Sequence, residues 1–279
     1  MLHSALACCR HSLRRVATMP RAWAVVLLMF LYLESQFSPI RQMLVEHNLL
    51  MSLPGLAMYL LSDANVSVML GLGLLMLLFD APFTDETQRY IVARAGRGAW
   101  ALGQVWYVLV MVLVYLLAFL LLLLTLSFRW LDWSGGWSSG LEALVRGGAY
   151  EWYNTMLDYD AWLMTFYTPL GGMSLALGLH ALGFSLLALI QYAVNASGFA
   201  RLGFFVAGAP LLFDGLIEEF FYENAYYFSP MTLTRLTTLD YGDQMGRPPV
   251  WYALTVLFLA CVALALACVY VSRKREIKR

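Results

Sequence analysis

Residues 79–107, FDAPFTDETQRYIVARAGRGAWALGQVWY, place a charged insert between two strongly apolar runs. The insert carries the marks of a short helix with defined ends. Thr84 is suited to cap its start, and Asp85 and Glu86 follow where the helix dipole favours anions. Arg94 falls in the last turn, and Gly96 sits where a left-handed C-terminal cap is expected. The spacing predicts a helix over residues 84–96, too short and too charged to cross a bilayer. A rigid helix between two spans predicts a surface on which a soluble partner docks.

The rest of the chain sets that helix in a membrane. Apolar residues make up 61% of the 279 and charged residues 13%, far from the balance of a soluble domain. Several apolar runs approach or exceed the length that spans hydrocarbon, so the expected fold is all-α and polytopic. The formal net charge is zero, which gives no attraction to nucleic acid. A separate catalytic domain does not fit beside so much membrane-committed chain. Four cysteines, at positions 8, 9, 261 and 268, suggest no disulfide framework.

Working outward from the insert, residues 1–21 hold four arginines and no acid. They read as an amphipathic segment on the cytoplasmic membrane surface, with Leu2, Leu6 and Leu13 on one side. An Arg-rich targeting peptide is the alternative. The first span starts near Ala22, passes Glu34 and is expected to end at Pro39. Residues 40–64 are apolar but interrupted by Pro54 and Gly55, and read as a re-entrant or interfacial piece on the outer face, with a seventh span as the alternative that charge parity disfavours. The further spans are expected at 66–79, 100–126, 170–192, 202–217 and 250–271. Between them, residues 127–168 form an outer loop rich in Trp, and 218–249 form an outer or re-entrant segment before span six.

Charge distribution orients this arrangement. Of 18 Arg and Lys, 13 fall on one side, at 10, 14, 15, 21, 89, 94, 97, 201, 273, 274, 275, 278 and 279. That bias puts both termini and the 84–96 helix in the cytoplasm, with six spans between the termini.

No P-loop, HExxH or clustered Cys–His pattern occurs. The expectations are therefore no metal, no cofactor and no catalytic residue in this chain. Polar groups within or beside spans are candidates for a translocation path: Glu34, His180, Asp214, Glu218 and Glu219. Each has a structural alternative, such as a hydrogen bond from His180 to a neighbouring helix. Asp214 lies one turn before Glu218, an acidic face with no basic residue beside it in sequence. A proton-coupled carrier would use such a group. The Glu218–Glu219 pair is the most enzyme-like feature. Membrane proteases of the CAAX-processing type pair such glutamates with an arginine four residues later and with histidines on later helices. Here position 223 is Glu, and no histidine follows Glu219.

The chain resembles the permeases of type-2 ABC exporters. The resemblance rests on six expected spans, the N-terminal amphipathic segment, a short helix between spans two and three, and a broken element before span six. Locally it rests on D-A-P-F, T-D-E-T-Q-R-Y, R-A-G-R and W-x-x-G-Q, which carry Asp80, Asp85, Glu86, Arg89, Arg94, Arg97, Trp100 and Gln104. The resemblance implies an exporter permease of the bacterial cytoplasmic membrane. It implies a separate ATPase subunit holding ATP and Mg, docked on the coupling helix through Asp85, Glu86, Arg89, Arg94 and Arg97. It also implies a second permease copy, identical or related.

Overall fold

The computed structural model describes residues 2–83, 86–153, 155, 157, 159–199, 202–220, 223–242 and 246–274. Side chains at 86–89, 218–220, 223–224 and 274 fall outside that description. The described residues form twelve α-helices and no strand. These are α1 Leu2–Ala17, α2 Pro20–Glu46, α3 Leu53–Ser62, α4 Ala64–Leu77, α5 Glu86–Ala95 and α6 Arg97–Ser127. They continue with α7 Ser139–Val145, α8 Ala149–Trp152, α9 Leu163–Phe166, α10 Pro169–Ala196, α11 Leu202–Phe220 and α12 Val250–Lys274.

Four helices, α2, α6, α10 and α12, are long and apolar enough to cross a membrane. The pair α3 and α4 makes a fifth if counted as one span bent by 85°, and α11 is a shorter apolar helix. Leu27, Leu28 and Leu31 on α2, Leu113, Leu117 and Leu121 on α6, and Leu259 and Leu266 on α12 are all more than half exposed. So much apolar surface on helices of this length belongs in lipid, and the protein is an integral membrane protein.

Proline 39 does not end the first span: α2 runs through it to Glu46. A proline inside a helix costs about 3 kcal/mol. Beyond it, Ile40, Met43 and Leu44 are wholly buried, each worth about 1.5–3 kcal/mol, so packing outweighs the lost hydrogen bond. Residues 40–64 consequently divide. The first part belongs to α2, and α3 is buried in the bundle rather than lying on its face, with Leu56 through Leu61 at most 2% exposed. Ser52 caps α3, accepting from the Gly55 amide, and Asp63 caps α4, accepting from the Val66 amide. The bend lies at Asp63, where one helix stops and the next is capped.

Over α3 sit the short helices of the Trp-rich loop. The Met51 amide donates to the Trp130 carbonyl at 2.7 Å and the Asp132 amide to the Met51 carbonyl at 2.9 Å. Leu141, Leu144 and Leu163 are wholly buried. Trp133, Trp152 and Trp162 remain exposed, as interfacial residues do.

At the other end, α1 lies along the start of α6. Its buried face is not the leucine side but Ala5, Cys8, Cys9, Ser12 and Val16. Leu2 and Leu6 are 65% and 52% exposed. The close approach needs Gly103, where a Cβ would lie 2.6 Å from the Ala5 carbonyl oxygen and 2.7 Å from Cys8 Cβ. Gln104, 1% exposed, donates from Nε2 to Ser12 Oγ at 2.9 Å.

Candidate functional site

Two groups of polar residues stand out, one at the α1 end of the bundle and one at its centre. At the α1 end, α5 spans Glu86–Ala95, and Arg94 lies in its last turn. Gly96 follows at φ 83°, ψ 148° and is also the residue that opens α6. The positive φ is the expected one, but ψ is extended rather than left-handed helical, so α5 does not end in the expected cap. Thr84 and Asp85 lie outside the described residues, as do the side chains of Glu86 and Arg89. Arg94 and Arg97 are exposed.

The segment preceding α5 is held from three directions. Arg21 Nη2, at the start of α2, meets Asp80 Oδ2 at 2.9 Å, and its guanidinium stands 5.8 Å from the Phe79 ring centre. Arg15 of α1 stacks 4.4 Å over the Phe83 ring. Asn195, at the end of α10, donates from Nδ2 to the Phe79 and Ala81 carbonyls at 3.2 and 2.9 Å. Its Oδ1 accepts from the Gly203 amide at 3.2 Å. One turn earlier, Gln191 Nε2 donates to the Leu75 carbonyl at 3.1 Å. The Arg21–Asp80 pair is partly exposed and adds little energy. The Asn195 amide is buried and satisfies backbone groups that α4 leaves unpaired as it ends.

Between α1 and α5 lies an open groove of about 520 Å³, with His3, Ala7 and His11 on one wall and Tyr90, Ile91 and Arg94 on the other. Tyr90 is 75% exposed. Burial on α6 raises the pKa of the Cys8 and Cys9 thiols above the ordinary thiol value.

The central group joins α4, α10, α11 and the 3-10 turns Thr232–Thr234 and Leu236–Thr238. His180 is wholly buried. Its Nδ1 lies 3.0 Å from the Ala176 carbonyl oxygen and its Nε2 3.3 Å from Ser67 Oγ. With Nδ1–H donating, Nε2 accepts from the serine hydroxyl and ties α10 to α4. Asp214 is wholly buried as well, and it has the basic partner that its sequence neighbourhood lacks. Arg235 Nη2 lies 3.2 Å from Asp214 Oδ1, both side chains 1% exposed, and Thr232 Oγ1 donates to the same oxygen at 2.5 Å. Thr237 Oγ1 donates to the Ser62 carbonyl at 2.9 Å, and the methyl group of Thr234 packs where Gly183 leaves room. The turns before α12 are thus inserted among the helices. This is where the sequence suggests a re-entrant element.

Of the candidate path residues, His180 and Asp214 belong to the central group and Glu34 stands apart from it. Glu34 pairs with Arg41 along α2 at 2.6 Å, partly exposed. His180 and Asp214 are occupied by interhelical contacts. Glu218 and Glu219 lie in the last turn of α11, and their side chains are outside the described residues. Among the described residues, no three of His, Cys, Asp and Glu converge as metal ligands would. Sequence reasoning gave no structural role to Arg235, Asn195 or Arg15, whose partners include residues 21 to 116 positions away. A single arginine amid the uncharged run MTLTRLTTL was the one local signal for Arg235.

Compared with known families, with curated proteins and with solved structures, the chain matches none.

Proposed function

We propose that this chain is the permease subunit of an ATP-driven exporter and that α5, α1 and residues 79–83 form the end on which a separate ATPase docks. The observation that carries this reading is the anchoring around α5. Its preceding segment is fixed to α1 by Arg15, to α2 by Arg21 and to α10 by Asn195, while Gly96 joins α5 directly to α6. A displacement of α5 therefore reaches four helices at once, as a lever must. The groove between α1 and α5 offers an apolar floor with Tyr90 and Arg94 at its rim, features common at interface anchors.

In this reading α2, α4, α6, α10, α11 and α12 are six spans that run alternately up and down. The basic bias of 13 in 18 puts the α1 end and both termini in the cytoplasm. The re-entrant turns before α12 close the outer half of the bundle. Asp85, Glu86, Arg89, Arg94 and Arg97 supply charge-assisted contacts to the ATPase. ATP and Mg belong to that partner, this chain carries no catalytic residue, and a second permease copy completes the path. The pairing of Asp214 with Arg235 favours this reading over a carrier that loads protons on Asp214.

The docking role is tested by reversing Glu86→Arg and Arg89→Glu together and isolating the chain with whatever ATPase accompanies it. The expected result is loss of the ATPase and at least a ~10-fold fall in ATP turnover, with the thermal midpoint of the chain unchanged. Full retention and normal turnover would overturn the assignment of α5.

A further inference from the structure

At the end of α2 remote from α1, a pocket of about 550 Å³ opens between that helix and α8. Its lining includes Gln42, Glu46, His47, Ala149, Trp152 and Tyr153, and no Arg or Lys among the described residues. The Glu46 carboxylate is held from two sides. Gln42 Nε2 donates to Oε1 at 2.9 Å and the Tyr153 hydroxyl donates to Oε2 at 2.5 Å. His47 Nε2 lies 3.0 Å from the same hydroxyl, and its ring stands edge-on to that of Tyr153, at 87° and 6.2 Å. The hydrogen bond to Glu46 raises the pKa of the Tyr153 phenol, which keeps it a donor. Each carboxylate oxygen keeps a lone pair free. Beside this fixed anion Trp152 is 86% exposed, a large aromatic surface that nothing covers among the described residues.

A single oriented carboxylate, two aromatic rings and a lining without Arg or Lys suit one class of ligand. We propose that this pocket binds an organic cation, a quaternary ammonium or alkylated amine, with its charge at Glu46 and its methyl groups on the Trp152 and Tyr153 rings. Positive charge is attracted both by the carboxylate and by the negative faces of the rings. An anion meets only repulsion there. A neutral isostere loses both attractions. Twenty-seven residues of α2 separate the pocket from the α1 end, about 40 Å at helical rise, so the site stands whether or not α5 docks an ATPase.

The test is saturation-transfer NMR from the purified chain, in a choline-free maltoside detergent, to the methyl protons of choline. The neutral isostere 3,3-dimethylbutan-1-ol is the control. Choline is expected to show saturable transfer and the alcohol none. Glu46→Gln should weaken choline about tenfold or more, and Trp152→Ala similarly, with unchanged thermal midpoints because both side chains lie at the surface. Equal transfer to the alcohol, or undiminished binding in the Glu46→Gln variant, would overturn the proposal. The same titration in nanodiscs then distinguishes the source. Competition by phosphatidylcholine but not by phosphatidylglycerol assigns the occupant as a lipid headgroup, and equal binding of choline in both lipids assigns it as a soluble cation. Loss of choline binding in both lipids overturns the site in its native setting.

Discussion

Asp214→Ala is expected to lower the stability of the purified chain by about 3–5 kcal/mol, read as a large fall in its thermal midpoint. The substitution removes the carboxylate that pairs with the Arg235 guanidinium, both side chains 1% exposed, and so breaks a buried ion pair from one side. Removing one partner of a buried pair is far more costly than replacing both. Arg235→Met in the same chain removes the other partner. The double variant should therefore be more stable than Asp214→Ala alone, although it has lost one more native side chain. That inversion is the diagnostic result, because a merely space-filling aspartate would give additive losses. Thr232→Val, which deletes one hydrogen bond to Oδ1, should cost only about 1 kcal/mol. If Asp214→Ala melts with the wild type, the turns before α12 are held by packing and the ion pair contributes nothing.

That pair also marks the limit of what the amino-acid order reveals. Spans α6, α10 and α12 begin and end within a few residues of where apolar run length puts them, because hydrocarbon imposes one local rule on every turn. At Gly96 the positive φ was legible, since only glycine takes it without strain, but the extended ψ in place of a left-handed cap was not. Pro39 misled because proline's cost is local while the packing of Ile40, Met43 and Leu44 that outweighs it is not. The amphipathic α1 was legible as a surface helix with its leucines on one side, and Leu2 and Leu6 are exposed; what was not legible is that its small residues pack closely on α6. Asp214 looked unpartnered because Arg235 follows 21 positions later, beyond any helical periodicity. Asn195 and Gln191 gave no sign at all. Their carbonyl partners lie 114 to 116 residues away, and a buried amide on an apolar helix names no partner in advance.

Gly103→Leu is expected to detach α1 from the bundle and leave the spans intact. At Gly103 the helix axes are close enough that even a Cβ would meet the Ala5 backbone at 2.6 Å, and a backbone atom cannot rotate away as a side chain can. A leucine there has no room unless α1 moves. The rest of α6 packs through other residues, among them Tyr107, Val108, Val112 and Phe119, so the bundle keeps its core. Cys8 and Cys9 report the change directly. In the intact chain both are buried on α6, and that burial raises their pKa, so at neutral pH they hold less thiolate than a free cysteine. Release removes the shielding and lowers the pKa together, and maleimide labelling at pH 7 should accelerate about tenfold or more. Cys261 and Cys268 serve as internal controls, since they face α10, where their thiols donate to the Leu182 and Leu189 carbonyls. Labelling confined to the first two cysteines, with a nearly unchanged thermal midpoint, is the expected pattern. Because Arg15 of α1 stacks on Phe83, displacement of α1 also loosens the segment that leads into α5. Loss of the proposed ATPase in this variant, which leaves α5 itself unaltered, would show that α1 is part of the proposed lever rather than a passenger on it. Unchanged labelling of Cys8 and Cys9 would mean that α1 does not depend on the glycine, and the close packing described for it would be wrong.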